Sequence, residues 1–232
     1  MIDLLGVTIH EPDVVFTDLG LALLAGYFGW GLWTGSSGAL SKAGAVLMGG
    51  LASAAFWGAI FHAFFPDDTT TVSGFIAWLP VAASILVAAA AMLELGLRIL
   101  APGVPPGGRR AILAVYATGF VAVVLLVDES FTSIVRFYVP ALILFLVGSG
   151  RQAIQSRSGG WSSIAAGLLL SAGAALLQQA EVAIHPDYFD HNAVYHVLQG
   201  IALVFLYFGF RAVSEPAGRV YAAGANPASR PR

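Results

Sequence analysis

Ser73–Ile99 reads SGFIAWLPVAASILVAAAAMLELGLRI. Its only charges, Glu94 and Arg98, stand near one end. The uncharged remainder reaches the roughly 20 apolar residues that a helix needs to cross a hydrocarbon core. Comparable runs recur along the chain and predict seven spans, at 14–34, 43–65, 73–99, 111–127, 130–149, 161–184 and 191–213. Turn-forming stretches separate them: Gly35-Ser36-Ser37-Gly38, Pro66-Asp67-Asp68, Ala101 to Gly108, Asp128-Glu129, Gly150 to Gly160 and His185-Pro186-Asp187. Two adjacent acids would be costly in mid-bilayer, so Asp128-Glu129 reads as a tight external turn rather than the middle of one long span.

Composition agrees with this reading. Of 232 residues, 58% are hydrophobic and only 10% charged, against about 25% charged in a soluble domain. Cysteine is absent, which excludes disulfides and thiolate metal sites. A net charge of −2 argues against nucleic acid as a partner. Met1 to Asp13 carries Asp3, Glu11 and Asp13 but no basic residue, unlike a cleavable signal peptide, so the first span is expected to stay.

Basic residues sort the links. Lys42 marks the first, Arg98, Arg109 and Arg110 the third, Arg151 and Arg157 the fifth, and Arg211, Arg219, Arg230 and Arg232 the tail. Basic residues stay on the cytoplasmic side, so the N-terminus is expected outside and the C-terminus inside a bacterial-type inner membrane. The expected fold is an all-α, seven-helix transmembrane domain over 1–213, with a disordered cytoplasmic tail over 214–232 that is rich in Ala, Gly, Pro and Arg. Arg136 breaks the pattern: it lies on the external half of the fifth span, and a buried guanidinium needs a partner, with Glu129 and Glu181 as candidates.

All five histidines, His10, His62, His185, His191 and His196, fall on the external side of this topology. Imidazole is the commonest protein ligand for a transition metal. Asn192, His196 and Gln199 share one helix face at spacing i, i+4, i+7, and such polar groups in an apolar span normally face the bundle interior. His191 lies about 140° from His196 on an ideal helix and joins it only through an irregular first turn. Carboxylates rim the same end: Asp67 and Asp68 after His62, and Asp187 and Asp190 before His191. Each has the chemistry of a general base or of an acceptor that orients a metal-bound histidine; each also suits a helix cap, Asp190 above all. The expected cavity opens outward between spans two, three and seven, with Trp57, Trp78 and Tyr195 along it.

A histidine ending the second span, His191-Asn192-Ala193-Val194-Tyr195-His196 opening the seventh, and seven spans in all resemble the CREST membrane hydrolases, which group the alkaline ceramidases with the progestin and adipoQ receptors. The resemblance implies a zinc ion held by three histidines, with a metal-activated water attacking an amide or ester in a lipid. Carried over, it makes His62 the first ligand and His196 the last; its spacing points to Asn192 for the middle one, with His191 one place earlier. The metal set expected here is therefore His62, His191 and His196, with Asp67, Asp68 and Asp190 as candidate catalytic acids. The family's serine falls on Gly58, and its third-span aspartate has no counterpart in 73–99. The expected partners are membrane lipids and a lipid substrate. The alternative is a non-enzymatic sensor or receptor whose external histidines bind a metal, a proton or a small ligand.

Overall fold

The computed structural model describes residues 1–4, 6–65, 69–185 and 188–214. Among these, seven helices are long and apolar enough to cross a membrane: α1 (Pro12–Gly35), α2 (Ala39–Phe64), α3 (Val72–Leu100), α4 (Pro106–Leu126), α5 (Phe131–Ser156), α6 (Gly159–Gln179) and α7 (His191–Ser214). The tail expected to be disordered lies, from residue 215 on, outside the described residues. A short antiparallel hairpin, β1 (Ile2–Leu4) and β2 (Val7–Ile9), precedes α1; the sequence reading had not anticipated it.

Helix ends follow local chemistry. Pro12 and Pro106 open α1 and α4, where the missing amide hydrogen costs no helix bond. Thr71 and Ser130 cap α3 and α5, accepting from the amides of Gly74 at 3.2 Å and Ser133 at 3.4 Å. The tight turn expected at Asp128-Glu129 is present between α4 and α5, and the Trp78 indole N–H donates to the Glu129 carbonyl across it at 2.9 Å.

Lateral packing closes six helices into a ring in the order α1, α2, α3, α5, α6, α7 and back to α1, while α4 packs outside against α3 and α5. Neighbours α1 and α7 run parallel, since Thr17 meets His196 near one end and Gly31 meets Tyr207 further along. Close approach in the ring depends on small residues. A Cβ on Gly209 of α7 would lie 2.6 Å from Ile164 and 2.8 Å from the Gly160 carbonyl of α6, so no larger residue fits. The ring is filled by Leu47, Met48, Met92, Leu95, Phe145 and Phe210, all buried, with Phe145 and Phe210 stacked at 6.0 Å. Large apolar side chains such as Leu23, Trp30, Leu126 and Ile154 cover the outside.

Because successive helices alternate in direction, α1 and α7 begin, and α2 ends, at the same end of the bundle. The lysine and arginines at 42, 98, 109, 110, 151, 157 and 211 lie toward the other end. Arg136 is the exception here too. It is exposed, with Asp128 in electrostatic range, in place of the buried pairing with Glu129 or Glu181 expected from sequence.

Candidate functional site

The hairpin and the start of α1 fold onto the end of α2. The His10 amide donates to the Ala63 carbonyl at 3.1 Å, and Ile9, Val15, Ala59 and Ala63 form a small apolar cluster behind it. Glu11 then enters the left-handed region at φ 44° as the N-cap of α1. That turn sets its carboxylate against His62, with Oε2 2.5 Å from Nδ1.

A second pair lies deeper, across α1 and α7. Asp18 is only 3% exposed and His196 8%, and Asp18 Oδ1 stands 3.1 Å from His196 Nε2. The other ring nitrogen, Nδ1, is 3.1 Å from the Thr17 hydroxyl. That hydroxyl also reaches the Asp13 carbonyl at 2.8 Å and the Val14 carbonyl at 3.0 Å, the usual back-bonding of a helical threonine. With its hydrogen directed at Asp13, the Thr17 oxygen accepts from Nδ1–H. Nε2 and Oδ1 then hold a single proton between them, either as imidazolium and carboxylate or as imidazole and carboxylic acid. His62 lies within electrostatic range of both Asp18 and His196, so the two pairs form one cluster.

Gly58 shapes this cluster. A Cβ there would lie 2.9 Å from Asp18 Oδ2. The position where the resemblance calls for a serine is empty because the Asp18 carboxylate occupies the space beside it.

The start of α7 is clamped by its polar residues. Asp190 accepts from the Ala193 amide at 2.8 Å, an N-cap, while its own amide donates to Asp13 at 3.1 Å. Asn192 accepts from Gln178 of α6 at 2.8 Å. Gln199, one turn below His196, is 2% exposed.

Of the expected metal set, His62 and His196 enter the cluster. Among the described residues the imidazole of His191, at the first position of α7, makes no hydrogen bond or ion pair, and no three histidines, aspartates or glutamates are spaced as ligands of one ion. Of the expected acids, Asp190 caps α7, and Asp67 and Asp68 lie outside the described residues, as does Asp187. The sequence reading expected a cavity between spans two, three and seven; the cluster of His62 and His196 joins α1, α2 and α7, and among the described residues no α3 side chain is bonded into it. Trp78 is buried instead against Phe61 and the α4–α5 turn, and Trp57 packs beside that group. Glu11, Thr17 and Asp18 were missed. Asp18 had a signal, an ionisable residue inside an apolar run, where such residues are rare and face the interior.

In the turn between α4 and α5, the Ser133 hydroxyl holds the Asp128 carboxyl below its ordinary value through a hydrogen bond at 2.5 Å, helped by the Ser130 amide at 3.0 Å.

Comparison with curated proteins and with solved structures gave no match. A family model does match, over residues 14–215, a range that includes Asp18, Gly58, His62 and His196. The chain therefore belongs to the family of unknown function DUF6962.

Proposed function

We propose that this chain is an integral membrane protein and that its α1–α2–α7 cluster is a proton-responsive sensor site. Support for the membrane comes from seven long apolar helices and from large apolar side chains on the outside of the ring. Basic residues gathered at the far end support an external position for the cluster.

One observation carries the sensor reading: both nitrogens of His196 are engaged, one by Thr17 and the other by Asp18, so the ring is held as a proton carrier. Asp18 and His196 gain or lose protons as a coupled pair, which suits a response to external acidity. A second proton on the Asp18–His196 pair would leave an imidazolium facing a neutral acid and weaken the link between α1 and α7. The test is hydrogen exchange at the starts of α1 and α7 between about pH 5 and 8, comparing the wild type with His196→Gln and Asp18→Asn. Exchange should change across this range in the wild type and stay flat in both variants after correction for intrinsic rates. A flat wild-type profile overturns the reading.

The second reading is the zinc-dependent hydrolase of lipid amides or esters. Its support is the 3.1 Å between His196 Nε2 and Asp18 Oδ1, close to the roughly 3.3 Å between neighbouring ligands of a tetrahedral zinc with bonds of about 2.0–2.1 Å. His62 would supply a third donor on leaving Glu11. Elemental analysis separates the two readings: retained zinc that is lost in His196→Gln favours the hydrolase, and a pH response that survives chelation favours the sensor.

A further inference from the structure

On the outside of the ring, a groove of about 270 Å³ runs between the second half of α1 and the first half of α2. Gly26, Gly29, Trp30, Trp33, Val46 and Gly49 line it. Helix packing does not explain all of these glycines. Gly29 packs against Met48, with 3.3 Å to its Cβ, but a Cβ on Gly49 would meet nothing within 4 Å and one on Gly26 only Ala52 at 3.9 Å. Glycine inside a helix costs about 1 kcal/mol relative to alanine. The sequence thus keeps a trough open where neighbouring helices leave room for side chains. Trp30 and Trp33 wall it, 69% and 51% exposed.

Lys42, the only lysine in the chain, stands at the end of the groove nearest the α1–α2 link. Its ammonium lies over the Trp33 ring, 4.3 Å from the centroid, and donates to the Trp33 carbonyl. No carboxylate pairs with it among the described residues. An ammonium has three N–H donors, so donors remain for an anion.

From the trough and the uncompensated cation at its head, we infer that this groove binds an anionic phospholipid, with an acyl chain along the glycines and the headgroup phosphate on Lys42. Basic pockets on the cytoplasmic side of membrane helices take anionic headgroups in this way. A second copy fits less well: two molecules inserted in the same direction and related by a two-fold axis through this face would oppose Lys42 to Lys42 and Trp30 to Trp30. The inference rests on membrane insertion but not on the sensor reading. Failure to incorporate into vesicles would count against insertion itself.

The test uses the full chain in phosphatidylcholine vesicles doped with a small fraction of brominated phosphatidylglycerol or brominated phosphatidylcholine, with tryptophan quenching as the readout. The wild type should prefer the anionic lipid about fivefold, the enrichment expected from one basic residue at an anionic surface. Lys42→Gln should remove the preference and Lys42→Arg should keep it. Gly49→Leu, whose side chain enters open space, should reduce quenching by both lipids; circular dichroism checks that each variant is folded. Equal quenching of the wild type by the two lipids overturns the inference. So does a preference that Lys42→Gln and Gly49→Leu leave unchanged, or protection of the tryptophans that rises with cross-linked dimer.

Discussion

A methyl group at position 58 would stand 2.9 Å from Asp18 Oδ2, closer than carbon and oxygen tolerate. In Gly58→Ala the carboxylate is the part able to move, and its 3.1 Å contact with His196 stretches as it does. The variant should fold, with a stability change of about 1 kcal/mol or less, yet the midpoint of its pH-dependent exchange should shift from that of the wild type. Exchange profiles of the two proteins check this, and coincident midpoints would remove Gly58 from any part in the site. Asp18 itself was legible in principle as a lone acid in an apolar run. Glu11 was not: it reaches His62 only because the backbone turns left-handed just before α1, and an N-terminal loop discloses no such turn from composition.

For the elements, most boundaries were readable because proline, glycine and acidic pairs mark them. The misses have local causes. The sixth span was expected to reach 184, but α6 stops at Gln179, and Glu181 takes a left-handed conformation at φ 52° that ends the helix five residues early. The fifth was expected to stop at 149, but α5 runs through Gly150 to Ser156, since one glycine inside a helix weakens it without breaking it. At the other end of α5, Asp128 is bonded to both Ser130 and Ser133 and so fixes the turn into the helix. Because these bonds favour the ionised carboxylate, its folded value lies below the ordinary one, about 3.9. The stabilisation is therefore present above the ordinary value and is lost as the pH falls through the folded value. Ser133→Ala should raise the Asp128 carboxyl toward the ordinary range, and a carboxyl-carbon NMR titration in acid measures the shift. An unchanged titration would mean that the Ser133 hydroxyl does not hold it.

Across the whole molecule, counting spans gave the helices but not their neighbours. Hydrophobic runs are alike from every side, while lateral order depends on which small residues meet which large ones, as Gly209 meets Ile164. That is why the cluster was expected beside the third span and was found beside the first. The ring also separates its members by support. Only Phe120 and Val124 of α4 are buried, whereas each ring helix buries six residues or more. Few buried contacts mean low local stability, so α4 should show the fastest amide exchange of the seven helices in a lipid or detergent environment. Hydrogen exchange resolved by peptide tests this, and protection of α4 equal to that of α3 or α7 would contradict its place outside the ring.

The side-by-side placement of α1 and α7 has a consequence for biogenesis. Asp18 stands on α1, and the imidazole that faces it stands on α7, the seventh helix, so the acid is made well before its partner. A nascent chain arrested before α7 holds a carboxylate inside an apolar helix with an open flank where His196 belongs. The arrival of α7 is therefore written into the chemistry of that one acid, whose flank stays open until His196 closes it.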